Sequence, residues 1–278
     1  PLKRNRQGAK MTTNELALKL KEFFQGRQDI YAEQTSLGEY FPVKAPLTEA
    51  VIQEHLEGSK TIGTYLIYDG DKVNFCALDI DNRDDELLKR FIFSCRKIDL
   101  EDTQILLEDS GNKGRHIFFR FEMPTLACEA RKFLQIIRNL SEIDPKIIIE
   151  FFPKQDRVEP DKFGNLIKLP LCIHRISKKW SFFMDLNTFK KINLEIIYKI
   201  EFISKNKLKD IFEEFDYLLP KNLIDNSENT VKISKLVNKE LATLKKEKIL
   251  DQDISIQPTF NQAEAIQGAV DQVTSALK

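Results

Sequence analysis

The stretch NFCALDIDN, residues 74–82, has the pattern of a buried strand and ends with two carboxylates, Asp79 and Asp81, one residue apart. Side chains of a strand alternate between the faces of a sheet, so both carboxylates are predicted on one face. Their Cβ atoms would lie roughly 7 Å apart, given a rise of about 3.3 Å per residue. A divalent cation with oxygen ligands would relieve their repulsion. The alternative is a strand that runs out into solvent, with Asp81 and Asn82 as turn residues.

The segments before this stretch predict two helices and a hairpin. Apolar spacing predicts a helix over 14–25 with Asn14 as its cap. A second helix is predicted over 47–58, with Thr48 as cap and Gly58 as its stop. The segment 61–81 is predicted to form a hairpin, because Asp69-Gly70 is a turn signal between two alternating strands.

The segments from this stretch onward predict the fold class. They indicate a strand to 81, a helix over 84–97, strands over 103–110 and 116–122, a helix over 127–141 and a strand over 146–152. The order strand, helix, strand, strand, helix, strand describes a split βαβ, the ferredoxin-like or RRM-like arrangement, in which helices cover one face of an open sheet. We therefore expect an α+β fold with an antiparallel sheet of this kind and an N-terminal α/β element.

Composition sets the outer limits of the prediction. The 278 residues are 42% hydrophobic and 31% charged, with 43 basic and 43 acidic side chains, as in a soluble globular protein with no overall charge. No apolar run approaches the roughly 20 residues of a membrane helix, and the N-terminus lacks the apolar segment of a signal peptide. Four widely spaced cysteines without a C-x-x-C pair predict no zinc and no disulfide framework, and suit a reducing cytoplasm. We predict a disordered basic lead-in over 1–13, a core over 14–190 and a small helical accessory region over 191–278.

The loop between the two middle strands carries the features of a phosphate site. Gly111 and Gly114 lie three residues apart, and glycines let backbone N–H groups approach a ligand closely. Lys113 and Arg115 add cations and Ser110 a hydroxyl. The spacing is not that of a P-loop, and such loops are often plain hairpin connections. His116, which follows at once, is either a structural strand residue or part of this site.

Glu150 is the single ionisable residue in the apolar run at 147–153. Acidic side chains are almost never buried without a partner. Either Glu150 faces solvent at a sheet edge, or it shares a cation with Asp79 and Asp81. In a split βαβ the strands of Asp79 and Glu150 can be neighbours, so the three carboxylates could converge.

A local excess of positive charge lies between Lys162 and Met184, where no Asp or Glu occurs. The basic side chains are interleaved with aromatic ones, a composition that suits tracking of a nucleic-acid backbone and stacking of bases. The alternative is a solvated basic face over a core strand. The residues concerned are Lys162, Lys168, His174, Arg175, Lys178, Lys179, Trp180, Phe182 and Phe183.

Together these segments resemble the archaeo-eukaryotic primase superfamily. Asp79-Ile80-Asp81 is similar to its D-x-D metal motif, SGNKGRH at 110–116 to its Ser-Gly-x-x-Gly-x-His nucleotide motif, and Glu150 to its acidic third metal ligand. The runs at 26–34, 60–67, 151–171 and 174–180 resemble the branch of CRISPR-associated primase-polymerases and conflict-system primases. The resemblance spans residues 20–185. Glu150 stands where many members have Asp, and the chain has no cysteine zinc site.

The resemblance implies a DNA primase-polymerase, a nucleotidyltransferase that starts and extends primers from nucleoside triphosphates. It implies two Mg²⁺ or Mn²⁺ ions on Asp79, Asp81 and Glu150, with single-stranded template, primer, and deoxynucleoside or ribonucleoside triphosphates as partners. CRISPR adaptation proteins are possible further partners, and a CRISPR or mobile-element defence context is expected. The implied nucleotide-binding residues are Ser110, Gly111, Lys113, Gly114, His116, Asn165, Lys168, His174 and Arg175. The implied nucleic-acid contacts are Arg27, Arg175, Lys178 and Lys179.

Two other functions compete with this interpretation. An RRM-like module could bind single strands without chemistry, but sheet-face aromatics are not obvious and paired carboxylates would repel phosphate. A metal-dependent nuclease or relaxase could use a similar sheet. Its usual His-x-His pair is missing, because His55, His116 and His174 are far apart in sequence.

Overall fold

A computed structural model describes residues 11–159 and 161–219. Residues 1–10 of the predicted lead-in, and residues 220–278 of the predicted accessory region, lie outside them. The described helices are α1 (Thr13–Phe23), α2 (Glu49–Leu56), α3 (Asp85–Lys97), α4 (Ala127–Leu140) and α5 (Lys205–Phe215). The strands are β1 (Tyr31–Gln34), β2 (Tyr40–Val43), β3 (Ile62–Tyr65), β4 (Lys72–Ile80), β5 (Leu106–Asp109), β6 (Arg115–Leu126), β7 (Glu150–Phe152), β8 (Leu166–Lys168) and β9 (Phe182–Met184).

The larger sheet is the predicted split βαβ. Its strand order is β7-β4-β6-β5-β9, and every neighbouring pair is antiparallel. Helices α3 and α4 pack together, and their apolar residues, Phe91 and Phe133 among them, join one core with β4 and β6. The α+β class and the antiparallel arrangement are therefore confirmed. Strand β7 is shorter than the strand predicted over 146–152, because only residues 150–152 pair with β4.

The predicted hairpin over 61–81 is wrong in its pairing. Strand β3 belongs to a second sheet of order β2-β1-β3-β8, whereas β4 pairs with β6 and β7. The Asp69-Gly70 turn does form, with Gly70 at φ 74° and an isolated bridge between Tyr68 and Lys72. All four residues of β3 are buried, so this short strand is a central strand that needs a partner on each side. The turn redirects the chain from one sheet to the other.

The first helix begins before the predicted cap. Thr12, not Asn14, is the N-cap: its hydroxyl accepts the backbone N–H of Glu15, and the Glu15 carboxylate accepts the backbone N–H of Thr12. Met11 is buried as well. The cap of α2 is Thr48, as predicted, and Gly58 follows the helix with φ 83°.

Residues 191–219 pack on the same core as the sheets. A 3₁₀ turn over Leu194–Tyr198 and helix α5 contribute the buried side chains of Ile197, Leu208 and Ile211. Ile203 makes two backbone hydrogen bonds with β6. Its N–H donates to Arg120 O at 2.7 Å, and its carbonyl accepts the N–H of Glu122 at 2.9 Å. The proposed boundary near 190 remains a prediction. No helix of the described chain is long and apolar enough to cross a membrane.

Candidate active site

Four ionisable residues form one row across the larger sheet. Glu108 on β5 lies opposite His116 on β6, His116 lies opposite Asp79 on β4, and Asp79 lies opposite Glu150 on β7. Residues directly opposite each other in adjacent antiparallel strands point to the same face. We call Glu108, His116, Asp79 and Glu150 the cross-strand row.

Exposure rises from one end of the cross-strand row to the other. The side chains of Glu108, His116, Asp79 and Glu150 are 0%, 7%, 23% and 48% exposed, in that order. His116 Nδ1 lies 2.7 Å from Glu108 Oε2, and His116 Nε2 lies 3.4 Å from Asp79 Oδ1. Glu150 instead accepts a hydrogen bond from Lys154 at 2.7 Å. The buried end is closed by protein partners, whereas the exposed end is open to ligands.

Lys168 reaches the buried end of the row from the smaller sheet. It lies on β8, is itself buried, and places Nζ 3.3 Å from Glu108 Oε1 and 3.4 Å from Cys172 Sγ. Burial alone would raise the pKa of Glu108, but Lys168 and His116 lower it to about 2. Burial alone would lower the pKa of Lys168, but Glu108 raises it. Both groups are therefore charged at neutral pH.

His116 is held as a cation by the two carboxylates. Burial alone would lower its pKa, but the hydrogen bonds to Asp79 and Glu108 raise it to about 9. The ring thus carries positive charge between two acids, with Nδ1 toward the buried one and Nε2 toward the exposed one.

Asp81 follows the end of β4 and is exposed next to the glycine loop. A Cβ on Gly114 would lie 2.6 Å from Ile80 O and 3.0 Å from Asp81 Oδ1. Only glycine permits this approach, so Gly114 brings the loop against the acidic segment.

The loop at 110–114 binds its own backbone amides. The hydroxyl of Ser110 accepts the N–H groups of Asn112 at 3.4 Å and Gly114 at 3.3 Å, and Asp109 accepts that of Gly111 at 2.9 Å. Gly111 has φ 79°, which favours glycine. Three amides of the loop are therefore bonded within the loop, the Lys113 side chain is its exposed cation, and the phosphate site stays a prediction.

A cavity of about 230 Å³ brings most of the predicted site together. Both sheets contribute to its wall, which carries both acidic and basic side chains. Its lining comprises Gln34, Tyr40, Asp79, Asp81, Ser110, Asn112, Lys113, His116, Phe152, Leu166, Ile167, Lys168 and His174. Neither Asn165 nor Arg175 lines this cavity, although both were predicted to bind nucleotide.

The predicted nucleic-acid contacts differ in availability. Lys178 and Lys179 are exposed. Arg175 donates to Ser59 O at 2.7 Å. Arg27 forms an ion pair with Asp29 at 2.6 Å, so its charge is already compensated.

The sequence prediction missed several residues that build the site. Glu108 is buried beneath the pocket, and Gln34 and Tyr40 come from the unpredicted sheet strands β1 and β2. Arg83 donates to Asp109 at 3.1 Å and to the backbone carbonyl of Asn112 at 2.9 Å, and so joins the segment after β4 to the glycine loop. Pairing the predicted strands LLED (106–109) and RHI (115–117) as a hairpin could have placed Glu108 opposite His116. No local sequence pattern, however, indicates that Lys168 on β8 reaches Glu108.

The acidic residues suit a hard divalent cation in their chemistry. Asp79 and Asp81 both line the pocket and offer carboxylate oxygens, the ligands that Mg²⁺ prefers. Glu150 lies opposite Asp79 in register but is turned to Lys154. Within the described residues no group of three His, Cys, Asp or Glu side chains is close enough to hold a metal ion. Asp79 and Asp81 thus line one pocket and Glu150 lies beside Asp79, and their assignment as metal ligands stays a prediction.

Three comparisons with known proteins show what this chain is similar to. A sequence model of the TOTE conflict system archaeo-eukaryotic primase domain matches residues 43–211. No curated protein matches the chain in sequence. The AEP domain of the cyanophage S-2L primase-polymerase is similar in structure at 14% identity, with a TM-score of 0.41 over 67% of this chain and 96% of that chain. The polymerase domain of Mycobacterium tuberculosis ligase D, solved in complex with DNA, has 11% identity and a TM-score of 0.39, over 75% of this chain and 93% of that chain.

The family match spans all three predicted motifs, because Asp79, the 110–116 loop and Glu150 lie within residues 43–211. It covers more than half of the chain, and it specifies the conflict-system branch of the predicted resemblance. The chain belongs to the family of archaeo-eukaryotic primase domains of TOTE conflict systems.

Proposed function

We propose that this chain is a DNA primase-polymerase that transfers nucleotides from nucleoside triphosphates to a 3′-hydroxyl on a single-stranded template. In this proposal it both starts and extends primers. The observation that carries the proposal is the pocket that Asp79 and Asp81 line together with the basic residues Lys113, His116 and Lys168. Such an arrangement offers acidic groups for cations beside basic groups for phosphates.

The acidic side would hold two Mg²⁺ or Mn²⁺ ions. Asp79 and Asp81 would provide the first ligands, and Glu150 would join them by leaving Lys154. When bound, these ions supply neutralisation of phosphate charge and activation of the attacking hydroxyl. Glu150 is 48% exposed, so its carboxylate can change partners without unpacking the sheet.

The basic side would bind the triphosphate. Lys113 is exposed at the pocket, His116 is held as a cation, and His174 lines the same wall. Charge-assisted hydrogen bonds from such groups to phosphate oxygens are stronger than neutral ones. Because His116 Nε2 also faces Asp79, this ring would keep the nucleotide and the metal ligands in a fixed relation.

The template strand would run over the exposed basic segment next to the glycine loop. Ser177 Oγ donates to Gly111 O at 2.6 Å, so the segment is attached to the pocket. Lys178, Lys179 and the 44% exposed Trp180 then present charge and a ring to solvent. Because such contacts are made to the phosphate backbone of the template, we expect the affinity for single-stranded template to fall as the salt concentration rises.

The biological setting that we propose is a conflict system, following the family. A cytoplasmic location and CRISPR adaptation proteins as partners stay predictions of the sequence.

Replacing both acids tests the proposal. We expect Asp79→Ala with Asp81→Ala to abolish primer extension in Mn²⁺, because Glu150 would be the single proposed ligand left to hold the ions. The matched control is Asp210→Ala with Glu214→Ala, which removes two exposed acids of α5 and should leave extension unchanged. The assay uses labelled primer-template and unprimed template, with each nucleotide type. Synthesis retained by the pocket variant would refute the metal assignment, and strands that shorten without nucleotides would indicate a nuclease.

A further inference from the structure

Glu108 is a fully buried carboxylate that lies behind the pocket. Its side chain is 0% exposed and it is not among the residues that line the cavity. Each of its oxygens has a partner with a nitrogen donor: Oε2 lies 2.7 Å from His116 Nδ1 and Oε1 lies 3.3 Å from Lys168 Nζ. Those two partners do line the cavity. Glu108 can therefore act on a ligand only through its neighbours.

The contacts of Glu108 connect the two sheets. His116 belongs to the five-stranded sheet and Lys168 to the four-stranded sheet. A buried charge is costly unless it is paired and hydrogen-bonded, and here both oxygens are used. The carboxylate thus sets the positions of two pocket-lining side chains that come from different sheets.

The hydrogen bond to Nδ1 also fixes the orientation of the His116 ring. Which nitrogen of a histidine faces a site is determined by the bond that the other nitrogen makes. Because Nδ1 faces Glu108, Nε2 faces Asp79 at 3.4 Å and the pocket beyond it. A ring without this bond could rotate about its side-chain torsions and leave the pocket wall.

We propose that Glu108 is the positioning residue of this site, holding the His116 ring in the geometry that receives the triphosphate, while its bond to Lys168 joins the two sheets. The proposal rests on the proposed nucleotidyl transfer, and it adds a residue to that mechanism. Glu108 makes no contact with substrate in this account. Its effect on the reaction passes through His116, and this distinguishes a positioning role from one in packing alone.

A double-mutant cycle separates the two roles. Small misplacements of a binding group can cost roughly 100-fold in rate, so we expect Glu108→Ala to lower kcat/KM by about that factor. Glu108→Gln keeps the volume and an acceptor for Nδ1–H, and should lose only about tenfold. In a His116→Ala background, Glu108→Ala should cost at most about threefold more, since the ring that it positions is gone. Independent losses that multiply in the double variant would overturn the positioning role. The control Glu122→Ala, an exposed acid of β6, should change nothing.

A measurement without nucleotide keeps this test separate from the proposed function. In the ¹⁵N-labelled protein, the Nδ1 proton of His116 should give a protected, strongly downfield NMR signal in the wild type and in Glu108→Gln. The signal should disappear in Glu108→Ala and in His116→Ala. A signal unaffected by Glu108→Ala, or absent from the wild type, would contradict the positioning role. If the signal behaves as expected but no variant and no wild type extends a primer, nucleotidyl transfer is wrong and the positioning of His116 stands.

Discussion

The two ends of the cross-strand row occupy equivalent strand positions but have opposite surroundings. At the buried end, Glu108 pairs with both His116 and Lys168. At the exposed end, Asp79 is half-buried and Glu150 pairs with Lys154, whose side chain is 36% exposed. Since both ends lie on one face of one sheet, the difference comes from what covers them. Strand β8 covers the buried end, and nothing in the described chain covers Glu150 to the same degree.

This difference predicts that the two ends of the row contribute to different properties, stability and cation binding. Breaking a buried pair leaves an uncompensated charge and is strongly destabilising, whereas an exposed pair contributes little to stability. The buried end should therefore govern folding and geometry, and the exposed end should govern cation binding. Substitutions at the two ends should separate stability from activity.

The largest effect on stability is expected when Lys168 is replaced. Lys168→Met leaves Glu108 with one fewer cation in the interior, and we expect the free energy of unfolding to fall by about 3–5 kcal/mol. Urea denaturation measures this change. Adding Glu108→Gln should restore part of it, because the unpaired charge is then removed.

The matched control for this prediction is Lys113→Met, a lysine of the same pocket that is exposed. Its free energy of unfolding should change by no more than about 0.5 kcal/mol. Equal changes in the free energy of unfolding for the two lysine substitutions would mean that the buried end of the row does not contribute more to stability than an exposed lysine.

The second effect concerns a neutral histidine behind the buried end. His55 accepts the backbone N–H of Ile62 at 2.9 Å through Nδ1, and its Nε2 pairs with Pro170 O at 2.9 Å. Burial lowers its pKa from 6.5 to about 4. The unfolded state therefore binds the proton first, so stability should fall as pH drops below 6.5 and level off below about 4. The shift corresponds to a loss of up to about 3 kcal/mol.

His55→Gln removes this titration and supplies the comparison. The variant starts from a lower stability at pH 7, but its decline between pH 6.5 and pH 4 should be shallower by up to about 3 kcal/mol. Urea denaturation at half-unit pH steps gives both curves. Parallel curves would show that His55 is not held neutral in the folded protein.

The smallest effect on stability is expected at the exposed end. Lys154→Ala breaks the pair with Glu150 and should change the free energy of unfolding by less than about 0.5 kcal/mol. It should nevertheless release Glu150 for the cation site, so we expect the Mn²⁺ concentration for half-maximal activity to fall roughly two- to threefold. A higher Mn²⁺ requirement in this variant would argue against Glu150 as a ligand.

The parts of the fold that depend on local pattern could be predicted from the sequence. The strands and helices from 72 to 152 have clear periodicities, and their order alone specifies the split βαβ and its antiparallel sheet. That arrangement placed Asp79 beside Glu150, as the register shows. Chain order was sufficient here because each strand pairs within the same supersecondary unit.

The parts that depend on distant pairing could not be predicted. Strand β3 has the pattern of a hairpin partner for β4, but it pairs with β1 and with β8, which lies about a hundred residues further on. The pairing of β3 with β8 also places Lys168 next to Glu108, so the contacts at the buried end of the row could not be predicted either. Lys154 was equally hidden, because an exposed ion pair depends on side-chain choice and not on periodicity.

The central claim is that Asp79 and Asp81, joined by Glu150, hold divalent cations at the open end of the row. Anomalous X-ray diffraction from crystals of the protein with Mn²⁺ and a non-hydrolysable nucleoside triphosphate tests it most directly. The account predicts a manganese peak bound by carboxylate oxygens of Asp79 and Asp81, with Glu150 released from Lys154 and turned toward the metal. Manganese bound elsewhere, with Asp79 still facing only His116 and Glu150 still paired with Lys154, would contradict it.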